Sequence, residues 1–341
     1  MSKLLPSING LRAISILLVI ASHVETYYGT ETFSGQFGVN VFFVLSGYLI
    51  TRLLVLEEGA HNRINLKKFY VRRTLRIFPA YYFMLLVYFI MQVAGVLYMN
   101  SFSWITALTY TKYFQKPLDK PSGHAWSLAI EEHFYLIWPV VFQFLKKWRN
   151  WFAFAVVFFV PAFRVIGGKY GIIWMNELTI FARMDALMWG CLFAIYHQPI
   201  SNKIDIFYKK FKPLLVLPFL IIPALLFFQK LNNMYHWRLN ALFTAYGNDT
   251  GTIADIAIGL ILLISINYRN NIWYKLLNTP VLNYIGLLSY SLYLWQQLFT
   301  LTPLGLLSTP PYNLLFIFGA ALFSYYIIEK PFLQLKTKFK F

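Results

Sequence analysis

Cysteine is almost absent from this chain: Cys191 is the only one in 341 residues. A single cysteine excludes a disulfide framework and a cysteine-ligated metal site. Charge is scarce as well, since charged residues make up 13% of the chain and hydrophobic residues 58%, whereas soluble domains carry about a quarter charged residues. This composition predicts an integral membrane protein that crosses the bilayer many times.

Acidic residues are few, with 13 Asp and Glu against 30 Lys and Arg and a net charge of +17. A nucleic-acid-binding protein would gather such charge on one soluble face, but here the basic residues are spread among apolar segments. The charge therefore indicates membrane topology, and we expect no nucleic-acid partner. No repeat, low-complexity linker or appended soluble domain is visible, so residues 1–341 are predicted to form a single integral-membrane domain.

Apolar stretches long enough to span a bilayer, about 17–25 residues, indicate about ten spans. They centre near Leu17, Leu45, Leu86, Leu136, Val157, Leu187, Leu220, Gly259, Leu292 and Phe318. The first stretch has no small-residue cleavage pattern and is predicted to be a retained span rather than a signal peptide. Residues 100–114 are too short to span and are expected to be interfacial or re-entrant. The fold class predicted is an all-α polytopic membrane protein.

The loops between these spans alternate in basic content. With a cytoplasmic N-terminus, every predicted inside segment is basic, and Lys68 and Lys209 fall inside whereas Lys116 and Lys230 fall outside. The positive-inside rule therefore predicts both termini to be cytoplasmic.

Arg12 and His23 are ionisable residues within the first predicted span, where charge is costly and by default indicates function. They are eleven residues apart, which places them about 16 Å apart on nearly the same helix face. Two structural alternatives stay open: Arg12 reaching the inner headgroups, and His23 as a satisfied interfacial histidine.

The stretch "GHAWSLAIEEHFYLIWP" begins the fourth predicted span. Ser127, Glu131 and Tyr135 fall at i, i+4 and i+8 and share a face. A carboxylate bonded to one ring nitrogen of His23 would fix its tautomer and leave the other nitrogen to take a hydroxyl proton. We therefore expect a His23–Glu131 dyad, the alternative being a polar clamp between two helices.

A basic cluster, "FYVRRTLRIFPAYY", precedes the third predicted span. Arg72, Arg73 and Arg76 would suit a polyphosphate, since guanidinium groups bind phosphate oxygens in pairs and stack on flat rings. The alternative is ordinary anchoring to anionic lipid. Three further buried charges, Arg183, Asp185 and Asp255, receive no catalytic role, and helix–helix clamping is the favoured interpretation of the first two.

Seven ordered motifs resemble the acyltransferase 3 family of bacterial integral-membrane acyltransferases. They are "NGLRAISILLVIASH", "FGVNVFFVLSGYLIT", "FYVRRTLRIFPAYY", "HAWSLAIEEHFYLIWP", "RMDALMWG", "GLLSYSLYLW" and "YIIEKPF". The resemblance runs from about Ser7 to Phe332. It implies transfer of an acyl group, usually acetyl, from cytoplasmic acyl-coenzyme A to a hydroxyl of a cell-surface glycan or lipid-linked saccharide. It also implies a multi-pass protein of the bacterial inner membrane, with no bound cofactor or metal.

The family motifs fall on residues already selected. The resemblance assigns His23 and Glu131 to catalysis, Arg12 and the arginine cluster to the donor, and a supporting role to Trp126 and Ser127. Tyr135, which shares the helix face of Glu131, is also expected to support the site. Many members carry a histidine where this chain has Gln296, so no proton-transfer role is expected there. Some members add an esterase-like domain after the last span, and this chain is expected to consist of the acyltransferase domain only.

Two other classes of function remain open from the sequence. Buried charges also mark the paths of carriers and flippases for sugars, lipids or anions, although carriers often show repeats. A non-catalytic acceptor-binding partner in a surface-polymer complex is the third. The sequence leaves open the acceptor, the acyl length, direct transfer or covalent relay, and the oligomeric state.

Overall fold

The chain is helical throughout its described part. The computed structural model describes residues 5–30, 32–172, 179–210, 216–235 and 250–339, and in these ranges it contains no β-strand. Four basic residues lie outside the described residues: Lys3, Lys212, Arg238 and Lys340.

The described residues form fourteen α-helices. In chain order they are α1 (Ile8–Tyr28), α2 (Gly35–His61), α3 (Leu66–Val93), α4 (Ser101–Leu108), α5 (Ala125–Phe144), α6 (Arg149–Tyr170), α7 (Ile180–Ile195), α8 (His197–Lys210), α9 (Leu217–Tyr235), α10 (Thr252–Asn267), α11 (Ile272–Leu277), α12 (Pro280–Thr300), α13 (Tyr312–Phe323) and α14 (Lys330–Lys336). A π-helical turn, Ser324–Glu329, joins α13 to α14.

Each of the ten predicted span centres lies in one of these helices. Within the described residues, five helical stretches are long and apolar enough to cross a membrane: α1, α2, α3, most of α6, and the continuous stretch Tyr312–Phe339. Two shorter apolar helices are Leu217–Leu231 and Thr252–Asn267. The all-α polytopic fold class is thereby confirmed, whereas the number of crossings and the cytoplasmic position of both termini stay predictions.

The segment expected to be interfacial or re-entrant is short and helical. It forms the eight-residue helix α4 and a 3₁₀ turn, Lys112–Phe114. Two prolines, Pro161 and Pro223, lie inside α6 and α9. Proline removes one backbone hydrogen bond but, in membrane helices, neighbouring groups compensate for it.

The chain divides into two compact units, which we describe separately. The first unit comprises Met1–Ser15, Gln36–Asn62 and Val141–Gly286, and the second comprises Ile16–Gly35, Arg63–Val140 and Leu287–Phe341. The single domain over residues 1–341 stays a prediction.

In the first unit, α2 and α7 approach each other closely through glycine. A Cβ atom on Gly47 would lie 1.9 Å from the carbonyl oxygen of Leu187, and one on Gly190 would lie 2.1 Å from that of Val44. Small residues at such crossings allow helices to pack in lipid, where no hydrophobic effect drives association.

Buried charges in the first unit are paired across helices. Arg164 of α6 donates two hydrogen bonds to Asp185 of α7, at 3.1 and 2.7 Å. Arg183 donates to Gln36 at 2.7 Å, and Asn40 donates to Asp255 at 2.5 Å. These contacts bear out the expected helix–helix clamp for Arg183 and Asp185.

Candidate functional site

The candidate site centres on His23, a half-buried residue of α1 in the second unit. Its Nδ1 lies 2.5 Å from Oε1 of Gln296 on α12. A carbonyl oxygen only accepts hydrogen bonds, so Nδ1–H is the donor and the neutral ring carries its free lone pair on Nε2. This is the arrangement a general base requires.

The partner of His23 is a residue that the sequence did not select. The sequence assigned the tautomer-fixing hydrogen bond to Glu131, and the structure gives it to the fully buried Gln296. An amide in place of a carboxylate fixes the ring orientation without adding a negative charge at Nδ1. Gln296 therefore acts on His23 as a positioning group.

The next residue of α12 holds a second histidine. Gln297 accepts a hydrogen bond at 2.6 Å from the backbone N–H of His124, directly before α5. Consecutive helix residues point about 100° apart. The two neighbouring glutamines therefore contact two different segments, α1 and the beginning of α5.

A buried ion pair shapes the loop that leads to His124. Lys112, whose side chain is fully buried, pairs with Asp119, and Asp119 also accepts hydrogen bonds from the backbone and hydroxyl of Ser122 at 2.9 and 2.7 Å. Burial would raise the pKa of Asp119, but Lys112 and Ser122 outweigh burial and hold this pKa below its ordinary value. Burial lowers the pKa of Lys112, and Asp119 offsets only part of this.

One face of α5 carries the polar residues that the periodicity predicted. Tyr135 donates a hydrogen bond to Glu131 at 3.0 Å, which confirms that these two residues share a face. One turn earlier, Ser127 hydrogen-bonds Tyr293 of α12 at 2.6 Å. Trp126 is buried beside Ser127 at the beginning of the helix.

The arginines of the cluster on α3 contact different parts of the second unit. The guanidinium of Arg73 lies 4.6 Å from the ring centroid of Tyr135, the residue that binds Glu131. Arg72 donates to the carbonyl of Phe339 at 3.1 Å, which ties the C-terminal segment to α3. Arg76 is half-buried and lies one turn after Arg72.

Arg12 lies on the same unbroken helix as His23, as the sequence predicted. It belongs to the first unit and is half-buried. Its assignment to the donor stays a prediction.

Sequence reasoning gave no role to His124, Tyr293 and Gln297, which the structure joins by hydrogen bonds, and it noted Gln296 only as a departure from the family pattern. The available signal was two consecutive amides, "QQ", in an otherwise apolar helix. Within the described residues, no group of three His, Cys, Asp or Glu is placed to hold a metal ion.

Comparison with known proteins agrees with the motif pattern. The family model of the acyltransferase 3 family, described as an acyltransferase domain, matches residues 5–329. The chain is 30% identical to the peptidoglycan O-acetyltransferase OatA of Listeria monocytogenes over 90% of this chain and 50% of that protein. It is 31% identical to the O-acetyltransferase OatA of Staphylococcus aureus over 86% of this chain and 50% of that protein.

The chain thus spans about half the length of the curated relatives it matches. No solved structure matches it. The family model nevertheless covers nearly the whole chain, so the chain belongs to the acyltransferase 3 family of integral-membrane acyltransferases.

Proposed function

We propose that this protein transfers an acetyl group from acetyl-coenzyme A to a hydroxyl of a cell-surface glycan, at the bacterial inner membrane. The observation that carries the proposal is the hydrogen bond from His23 Nδ1 to Gln296, which leaves Nε2 as a base. The membership of the chain in the acyltransferase 3 family supplies the reaction class. The names of its relatives, which are O-acetyltransferases, support acetyl as the acyl group that is transferred.

The chemistry follows from the neutral imidazole. Nε2 of His23 takes the proton of the acceptor hydroxyl as the hydroxyl oxygen attacks the thioester carbonyl. The C–S bond then breaks, the ester forms, and the proton passes from His23 to the thiolate of coenzyme A. Gln296 keeps Nδ1–H bonded throughout, so the ring cannot turn its other nitrogen toward the acceptor.

The sequence paired Glu131 with His23, whereas this proposal pairs Glu131 with Tyr135. Tyr135 donates a hydrogen bond to its carboxylate, and the guanidinium of Arg73 lies over the ring of the same Tyr135. We therefore assign Glu131 to the electrostatic balance of the site, and His23 alone to proton transfer.

The donor site is assigned to the arginine cluster. The guanidinium of Arg73 lies over the ring of Tyr135, 4.6 Å from its centroid, and arginines stacked on flat rings in this way also bind phosphate oxygens in pairs. Arg76 lies beside it on α3. The family motif, rather than a contact, assigns Arg12 to the donor as well.

The test is coenzyme A release by purified protein in nanodiscs, with acetyl-coenzyme A and soluble peptidoglycan fragments. Wild type should release coenzyme A and increase the mass of the fragments by one acetyl group. His23→Ala should lower turnover about 10²–10⁴-fold. His133→Ala is the matched control, because His133 is bonded to Tyr113 and not to the residues around His23.

A carrier or flippase would move its cargo without consuming acetyl-coenzyme A. The proposal would therefore be overturned if the wild-type protein released no coenzyme A, or if His23→Ala turned over as fast as wild type.

A further inference from the structure

The imidazole of His124 stands out because its backbone is fixed while its ring makes no hydrogen bond. The backbone N–H of His124 donates to Gln297, and its carbonyl accepts from Tyr293 at 3.0 Å. The ring packs against the ring of Tyr293, with centroids 5.5 Å apart. These contacts hold the imidazole in one place.

Both ring nitrogens of His124 are buried, and neither has a hydrogen-bond partner among the described residues. The residue is 3% exposed. Gln296 is fully buried, and its Nε2 atom likewise has no hydrogen-bond partner among the described residues, whereas its Oε1 atom accepts from His23. Buried polar groups in native proteins are nearly always bonded, so such a group requires an explanation.

These unpaired groups lie at the proposed base. Gln296 joins His23 directly, and its neighbour Gln297 holds His124. The charges of Lys112 and Asp119, on the loop that leads to His124, are paired with each other.

The unpaired atoms define the kind of ligand they would bind. A neutral imidazole offers one donor and one acceptor, and the amide nitrogen of Gln296 offers two donors. An anion would satisfy donors only, whereas a hydroxyl both donates and accepts. A polyhydroxylated ligand therefore matches this set.

We propose that His124 and the amide nitrogen of Gln296 bind hydroxyls of the acceptor saccharide and so present a neighbouring hydroxyl to His23. This inference rests on the proposed function and deepens it. His124 is then a substrate-binding residue, and Gln296 has two roles: its oxygen positions His23 and its nitrogen binds the acceptor.

The test replaces the imidazole with an apolar ring of similar shape. Binding of soluble peptidoglycan fragments to His124→Phe is measured by calorimetry in nanodiscs without acetyl-coenzyme A, so that no turnover occurs. We expect binding about tenfold to a hundredfold weaker than wild type, with an unchanged KM for acetyl-coenzyme A. His133→Phe should bind the fragments like wild type.

Thermal unfolding supplies a readout that does not depend on activity. If the nitrogens of His124 await a ligand, removing them relieves unpaired polar groups, and His124→Phe should unfold at the wild-type temperature or higher. Lower stability with unchanged fragment binding would make His124 structural and overturn the inference. Failure of wild type to release coenzyme A would instead overturn the proposed function, whatever the His124 variant does.

Discussion

Replacing Gln296 tests whether an amide, rather than a carboxylate, sets the tautomer of His23. In Gln296→Met the side chain keeps a similar length but loses the oxygen that lies 2.5 Å from Nδ1. A buried N–H without a partner costs about 1–3 kcal/mol. The substitution therefore destabilises the tautomer with its lone pair on Nε2 by about 1–3 kcal/mol. Since about 1.4 kcal/mol corresponds to a factor of ten, turnover should fall about 5- to 150-fold.

A second substitution separates the two ends of the amide. Gln296→Glu keeps an oxygen for Nδ1 but removes the amide hydrogens. It should retain more turnover than Gln296→Met at saturating acceptor while raising the KM for the acceptor. Neither variant should change the KM for acetyl-coenzyme A, because Gln296 acts through His23 and the acceptor.

The assay is coenzyme A release with acceptor and donor varied in turn. Because Gln296 positions His23, the double variant His23→Ala with Gln296→Met should be little slower than His23→Ala alone. Wild-type turnover by Gln296→Met, or independent multiplication of the two effects, would show that the contact to Nδ1 does not position the base.

The remaining predictions concern the donor and the loop before α5. Arg73→Lys should raise the KM for acetyl-coenzyme A about 10- to 100-fold, because a lysine cannot form the paired, ring-stacked contact. Arg63→Lys, at an exposed position, is the control. If both variants had the same KM, Arg73 would be interpreted as an anchor to anionic lipid. Asp119→Asn leaves the buried charge of Lys112 unpaired, so the unfolding free energy at neutral pH should fall by about 3–5 kcal/mol. Since the folded pKa of Asp119 lies below its ordinary value of 3.8, the wild-type advantage should be complete above about pH 4 and disappear as pH falls through the folded pKa. Thermal unfolding between pH 3 and 7 measures this difference, which should begin to narrow as pH falls below about 4; a gap that stays constant over the whole range would contradict the prediction.

Composition and hydropathy alone determined the fold class. A chain that is 58% hydrophobic and 13% charged satisfies its backbone in lipid only as helices or a closed barrel, and stretches of helix length exclude the second. Local periodicity likewise determined which residues share a helix face: Glu131 and Tyr135 lie together because four residues make about one helical turn. Seven ordered motifs identified the family.

Only the tertiary structure decided which faces meet. Gln296 binds His23 across 273 residues of sequence, and apolar helix surfaces in lipid carry little information about their neighbours because no hydrophobic effect selects them. The sequence placed Glu131 beside His23 on shared depth in the bilayer, and it gave no signal that Gln296 of α12 would contact Nδ1 of His23. For the same reason His124 was invisible as a candidate, since its position depends on hydrogen bonds from two residues of a distant helix, Tyr293 and Gln297.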